Sequence, residues 1–405
     1  MGGLDYSTVR RVTLDLVDGL EPEDCVVQAM PDVSPPKWHL AHTTWFFETF
    51  VLEPRGGDYR AFNPAFRELF NSYYEAVGPR HPRPARGHLS RPTVREVVRY
   101  REHVDAAMQR LFERGAMDER TLALVELGLH HEQQHQELLV MDVKFNFGES
   151  PLQPAHRPRA LEPCPAAPLS FKAFEGGVVR IGHVGAGFAF DNEGPAHRRF
   201  LEPFELASRL VTNGEWLEFI RAGGYRTASL WLSDGWSWVN ERSIEQPLYW
   251  RRSSQGEWLE LTCHGAFPLD PNAPVCHVSA YEAAAFAEWA GARLPTEAEW
   301  EHAAQGIDPS AARALEDGTW HPRAHGFLGE VWQWTRSAYE PYPGFRPAPG
   351  AVGEYNGKFM SSQWVLRGSA AITPRGHARA SYRNFFYPHQ RWPMTGLRLA
   401  KSATA

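Results

Sequence analysis

Apolar residues recur every three to four positions over residues 5–20, 36–53, 93–115 and 118–145, a period that predicts four amphipathic helices. Thr93 with Glu96 three positions on is a capping box that starts the third helix. Asp32-Val33-Ser34 before Pro35-Pro36 is a start signal for the second. Between these two, residues 54–92 carry Pro54, Gly56-Gly57, Pro64, Pro79, Pro82, Pro84 and Pro92, the composition of a long connection. Four helices with one long crossover predict a bundle. Residues 148–168 hold Pro151, Pro154, Pro158, Pro163, Pro165 and Pro168 and read as a linker. Beyond it the period shortens to β-like pieces at 178–181 and 188–190, with helices at 212–222 and 279–290 among aromatic-rich loops. The predicted class is α+β with two domains: a helical bundle over 1–147, a linker over 148–168 and a loop-rich domain over 169–405.

A chain of 405 residues is long enough for two cores. Lys and Arg number 42 against 48 Asp and Glu, a net charge of −6, which excludes a phosphate-neutralising nucleic-acid binder. No apolar run reaches membrane-spanning length, and Met1-Gly-Gly-Leu-Asp-Tyr6 lacks the features of a signal peptide or a myristoylation site. Cys25, Cys164, Cys263 and Cys276 are scattered, which together with the start predicts a reduced, cytoplasmic protein; a Cys263–Cys276 disulfide stays open.

The chemistry concentrates in Leu129-His-His-Glu-Gln-Gln-His-Gln-Glu-Leu-Leu139. His131 and His135 lie one turn apart on one helical face, a spacing that lets two imidazoles bind one metal ion. Glu137, roughly 200° round the helix from His135, does not share that face. The third ligand is expected from another helix of the bundle, and His39 and His42 both qualify. His131-Glu132-Gln-Gln-His135 also spells the zinc-protease pattern HExxH, but Leu138 and Met141 stand where its extended form needs Gly and His. Phe70-Asn-Ser-Tyr73-Tyr74 offers phenols beside the bundle, and Arg80-His-Pro-Arg83-Pro-Ala-Arg86 offers guanidiniums suited to a carboxylate, Arg83 and Arg86 above all.

The second half carries Pro274-Val-Cys-His-Val-Ser-Ala-Tyr281, Gly291-Ala-Arg-Leu-Pro-Thr-Glu-Ala-Glu-Trp-Glu301, Gly329-Glu-Val-Trp-Gln-Trp334, Val365-Leu-Arg-Gly-Ser369 and Gly396-Leu-Arg398. These resemble the formylglycine-generating-enzyme fold, a relative of C-type lectins, although no cysteine follows Cys276 to form that family's cysteine pair. With Leu40-Ala-His42 and His131-Glu-Gln-Gln-His135 upstream, the whole chain resembles the EgtB family, the ergothioneine-pathway sulfoxide synthases, which join a DinB-like bundle to such a domain. The resemblance implies His42, His131 and His135 as Fe(II) ligands, with Glu137 in an outer role. Three imidazoles leave up to three positions open on an octahedral ion. The implied reaction joins a thiol sulfur to C2 of the hercynine imidazole, with O2-dependent oxidation to the sulfoxide. Tyr73 and Tyr74 are the implied catalytic phenols, without a choice between them, and Gln134 and Asn384 the implied contacts to hercynine. Ser381-Tyr-Arg-Asn384-Phe385-Phe386 matches the family segment that reaches the substrates. Phe386 replaces the acidic residue of the branch that uses γ-glutamylcysteine, which implies free cysteine as donor. Trp332, Trp334 or Tyr339 would surround the trimethylammonium group. The competing readings are γ-glutamylcysteine or a selenium donor with the same triad, a zinc-dependent thiol transferase on the same bundle, and a binding module around a structural metal.

Overall fold

The computed structural model describes residues 5–56, 59–115 and 117–402. Met1–Leu4 of the leader reading and Gly57 of the Gly56-Gly57 pair lie outside them. The chain divides into two compact units, Met1–His156 with Gly350–Glu354, and Arg157–Pro349 with Tyr355–Ala405.

The first unit is built on α1 (Tyr6–Asp15), α2 (Pro36–Phe47), the single turn α3 (Phe66–Leu69), α4 (Val94–Arg114) and α5 (Glu119–Glu149). Pro36 occupies the first turn of α2, where its missing N–H costs nothing. All twelve residues of α2 are buried, because it packs on both α4 and α5, while α1 packs on α5. Its expected continuation to 53 is a wider π turn over Glu48–Leu52. There the buried Glu48 accepts the Tyr59 and Tyr100 hydroxyls at 2.6 and 2.5 Å and ties the long connection to α4. Helix α4 opens on the expected Thr93–Glu96 capping box, and α5 on Asp118, whose carboxylate takes the Thr121 N–H at 2.9 Å.

The second unit has four small sheets. Strands β1 (Phe171–Phe174), β2 (Gly177–Ile181), β3 (His197–Leu201) and β4 (Phe204–Ala207) come first. Helices α6 (Asn213–Arg221) and α7 (Ser233–Glu241) precede β5 (Trp250–Arg252), β6 (Trp258–Thr262) and β7 (Gly265–Pro268). Helices α8 (Ala280–Trp289) and α9 (Glu297–Ala304) then lead to β8 (Trp332–Ala338), β9 (Trp364–Arg367), β10 (Asn384–Phe386), β11 (Thr395–Gly396) and β12 (Ala400–Ser402). The strand orders are β1-β4-β12, β2-β3, β5-β6-β7 and β10-β9-β8-β11. Ile181, Leu201, Phe204, Leu206, Ala298 and Ala400 form a core between these strands and α9.

Two expectations are corrected here. Residues 188–190 are not a strand: the Phe190 N–H donates to Glu193 Oε1 at 2.9 Å and opens a 3₁₀ turn over Asp191–Glu193, so it is lost to any ladder. Residues 233–241, read as loop, form α7. None of the four cysteines is in a disulfide, which closes the Cys263–Cys276 alternative. No described helix is long and apolar enough to cross a membrane.

Helix α5 meets α2 at Gly128, where an added Cβ would lie 2.7 Å from the Phe47 ring and 2.9 Å from the Phe46 ring. Ala favours a helix over Gly by about 1 kcal/mol, but overpacking a filled core costs about 1–3 kcal/mol. Both rings are fully buried, so the second effect dominates. Gly128→Ala is expected to destabilise the protein by up to about 2 kcal/mol, read as a lower urea midpoint; a raised midpoint contradicts this packing.

Candidate metal centre

His131 and His135 project from one face of α5 and meet His42 from α2. The ring centroids form a nearly equilateral triangle: 5.0 Å for His42–His131, 4.8 Å for His42–His135 and 4.6 Å for His131–His135. One nitrogen from each lies within 4.8 Å of the others, and all three rings are buried. Burial holds all three imidazoles below the ordinary histidine range, His131 at about 3. They are neutral at physiological pH, the state in which a ring nitrogen binds a metal.

The outer hydrogen bonds aim these rings. His42 Nδ1 donates to the Phe70 carbonyl at 2.7 Å, which leaves the lone pair on Nε2. That nitrogen is fully buried with no protein partner, an acceptor that a metal ion would satisfy. Trp38 and Trp45, one turn to either side on α2, stack on His42 at 4.5 and 5.5 Å and fix its plane. His39 takes a different part. Its Nε2 lies 3.0 Å from the Asp142 carboxylate and its Nδ1 2.9 Å from His135 Nδ1. A neutral His39 that donates to Asp142 must accept from His135 Nδ1, which leaves the His135 Nε2 lone pair for the cluster. Asp142 is itself anchored by the Ser34 N–H at 2.8 Å. So the two α2 histidines separate: His42 joins the cluster and His39 orients His135. The three neutral nitrogens, one of them an orphaned buried acceptor, fit a metal ion.

The glutamate of the HExxH spelling is committed elsewhere. Glu132 accepts hydrogen bonds from Arg10, Thr13 and Arg101. Burial would raise its carboxyl, but the two guanidiniums outweigh it and hold it at about 2. A carboxylate so occupied does not act as a general base. Glu137 is buried but outside the three-histidine cluster, and Gln134 is half-buried between the two α5 histidines.

The two arginines of the proline loop part company. Arg86 is buried, stacks its guanidinium 3.3 Å from the Trp38 ring centre and donates to the Ser34 hydroxyl at 2.9 Å. Burial pushes its pKa down, and among the described residues it has no carboxylate partner. Arg86, Trp38 and His42 therefore form one stack. Arg83 is exposed and donates to the Asp32 carbonyl. Tyr74 is fully buried against Trp45 and Phe50, with ring centroids 5.5 and 5.2 Å away. Tyr73 is half-buried, its ring 4.6 Å from that of Tyr74 and the two hydroxyls 3.5 Å apart.

Sequence reasoning missed two contributors. Trp38 carried no signal beyond its place beside His39. Glu354, 279 and 278 positions from its partners, accepts the N–H groups of Glu75 and Ala76 at 3.0 and 2.9 Å, pinning the turn that follows Tyr74.

In the second unit, Asn384 opens β10 and its Oδ1 accepts the Phe385 N–H at 2.8 Å. Phe385 stacks on Tyr339 at 4.1 Å, and Phe386 meets Trp392 edge-on at 5.6 Å. Trp332 and Trp334 are fully buried, and the Trp334 indole donates to the Val278 carbonyl at 2.9 Å.

Residues 5–139 match the family model of the DinB superfamily, and residues 173–324 and 318–403 match that of the sulfatase-modifying factor enzyme 1-like domain. The hercynine oxygenase of Mycobacterium tuberculosis is 32% identical over 427 residues, 96% of this chain and 96% of that one. The hercynine oxygenase of Mycolicibacterium thermoresistibile is 30% identical, covering 96% of this chain and 92% of its own. The formylglycine-generating enzyme of Streptomyces coelicolor is 31% identical over 245 residues, 45% of this chain and 74% of its own.

The geometry predicts unequal effects for the two α2 histidines. His42→Ala removes a ligand atom and is expected to abolish stoichiometric binding of one divalent metal at the cluster. His39→Ala removes only an outer support and is expected to weaken it about 10–100-fold. Equilibrium metal titrations of both variants check this; loss in His39→Ala with retention in His42→Ala reverses the assignment.

Proposed function

The chain belongs to the hercynine oxygenase family, and from that premise we propose that it is an Fe(II)- and O2-dependent sulfoxide synthase of ergothioneine biosynthesis, with free cysteine as its sulfur donor. The observation that carries this reading is the buried triangle of His42, His131 and His135, three neutral nitrogens held by two helices. Such a donor set suits Fe(II) and leaves positions for substrates. An iron ion held by these three histidines would supply the redox chemistry and coordination positions for the substrates.

The chain's own residues do the rest. His42, His131 and His135 hold the metal, with His39 and Asp142 fixing the face that His135 presents. Arg86, buried with its Nε unpartnered among the described residues and stacked on Trp38, is assigned to the carboxylate of the donor. That requirement favours an amino-acid thiol over a selenosugar, which has no carboxylate to offer. Arg83 would join it only by leaving the Asp32 carbonyl. The Tyr73 and Tyr74 rings stack 4.6 Å apart with their hydroxyls 3.5 Å from each other, so each ring holds the other in place. The more exposed Tyr73 is assigned to the substrate and Tyr74 to its support. Gln134 and Asn384 are assigned to hercynine, and Phe385 and Phe386 to substrate binding, on the family resemblance.

Anaerobic protein loaded with Fe(II) and then given hercynine, cysteine and O2 is expected to yield hercynylcysteine sulfoxide by mass spectrometry. Turnover with γ-glutamylcysteine or a selenosugar but not cysteine overturns the donor assignment. Oxygen-independent activity with zinc alone overturns the oxygenase reading in favour of a thiol transferase. Arg86→Gln is expected to raise the KM for cysteine about 10–100-fold, the worth of one charge-assisted hydrogen-bonded contact of about 1.5–3 kcal/mol. The KM for hercynine should move far less.

A further inference from the structure

A second group of metal-ligating side chains lies in the other unit, well separated in sequence from the histidine triangle: Glu260, Cys276 and His321. Glu260 projects from β6, the central strand of its sheet; Cys276 lies on the segment between β7 and α8; His321 lies in the loop ahead of β8. All three are at least nine-tenths buried, at 4%, 1% and 1% exposure. One ligand atom from each falls within 4.8 Å of the others. We propose that these three side chains form a structural zinc site that staples β6, the approach to α8 and the approach to β8.

Two physical arguments carry the site. The first is distance. His321 Nε2 lies 3.4 Å from Glu260 Oε2, longer than the ordinary 2.7–3.2 Å range of an N–H···O bond. Zinc–nitrogen and zinc–oxygen bonds of about 2.1 Å at a tetrahedral angle place the two ligand atoms about 3.4 Å apart. Cys276 Sγ lies 3.4 Å from Glu260 Oε1, near the roughly 3.6 Å that a zinc–sulfur bond of about 2.3 Å implies. The two contacts reach different oxygens of the Glu260 carboxylate, so each separation is the size of a ligand–ligand edge around zinc, with one of those oxygens taken as the ligand.

The second argument is charge. A thiolate, a carboxylate and a neutral imidazole around Zn²⁺ sum to zero, and a neutral cluster is the form that burial tolerates. Binding releases the Cys276 proton to solvent and forms bonds from zinc to sulfur, nitrogen and oxygen without any change of oxidation state. A water molecule completes the fourth corner. The donor set also differs from the histidine triangle: thiolate with imidazole and carboxylate suits zinc, three imidazoles with open positions suit iron. The site stands whether or not the histidine centre is an oxygenase.

Cobalt titration of the full chain, without substrate and under anaerobic conditions, separates the two centres. A thiolate bound to Co²⁺ gives a near-ultraviolet charge-transfer band that imidazole ligands do not. The wild type is expected to show it, His42→Ala to keep it and Cys276→Ser to lose it. Zinc analysis should show the same loss in Cys276→Ser and in His321→Gln, which leaves every cysteine in place and serves where Cys276→Ser does not fold. Absence of the band in the wild type, its persistence in Cys276→Ser, or equal tightly held zinc in the wild type and His321→Gln overturns the site.

Discussion

Glu132 is wholly enclosed next to His131, and its carboxylate gathers Arg10 at 2.9 Å, Thr13 at 2.6 Å and Arg101. Arg10 and Thr13 come from α1 and Arg101 from α4, and Arg10 also donates to Thr44 of α2 at 3.0 Å. Every long helix of the bundle is thereby tied to the residue beside a cluster histidine. Removing one partner from such a buried ion network costs about 3–5 kcal/mol, because charge is left unpaired in a low dielectric. The histidine triangle spans α2 and α5, so its geometry is only as firm as the contact between those helices. Glu132 supplies that firmness from below, and the Phe46 and Phe47 rings against Gly128 supply it from the side.

This arrangement explains which features could be read in the chain. The four helices were legible because apolar positions recur at helical spacing, with a capping box opening α4 and a proline-marked start opening α2. In α2 the spacing located the helix without orienting it, because every residue is buried and no polar face marks a side. His39 and His42 could not be separated by pattern, only by what each meets: Asp142 and His135 for one, Phe70 and the cluster for the other. Glu132 looked like a protease base because its partners lie 31, 119 and 122 positions away, beyond any local signal. In the second unit the motifs located the domain, yet α7 and the turn at 191–193 were missed. The turn depends on Glu193, which bonds both to the local backbone and to Ser381, 188 positions on.

Arg86 shows how burial without compensation points to function. Nine-tenths or more of its surface is withdrawn from water, and its Nε has no partner among the described residues. The Trp38 face and one hydroxyl recover part of the lost hydration, since a cation over a desolvated indole gains about 2 kcal/mol. The Asp142 charge offsets part of the remainder, and the low dielectric that makes the buried guanidinium costly strengthens its attraction for an arriving carboxylate. Tying that guanidinium through Trp38 to the plane of His42 puts the cation beside the histidine cluster. A carboxylate held there would be confined near those three rings before any bond is made, which is how fixed charge is turned into orientation.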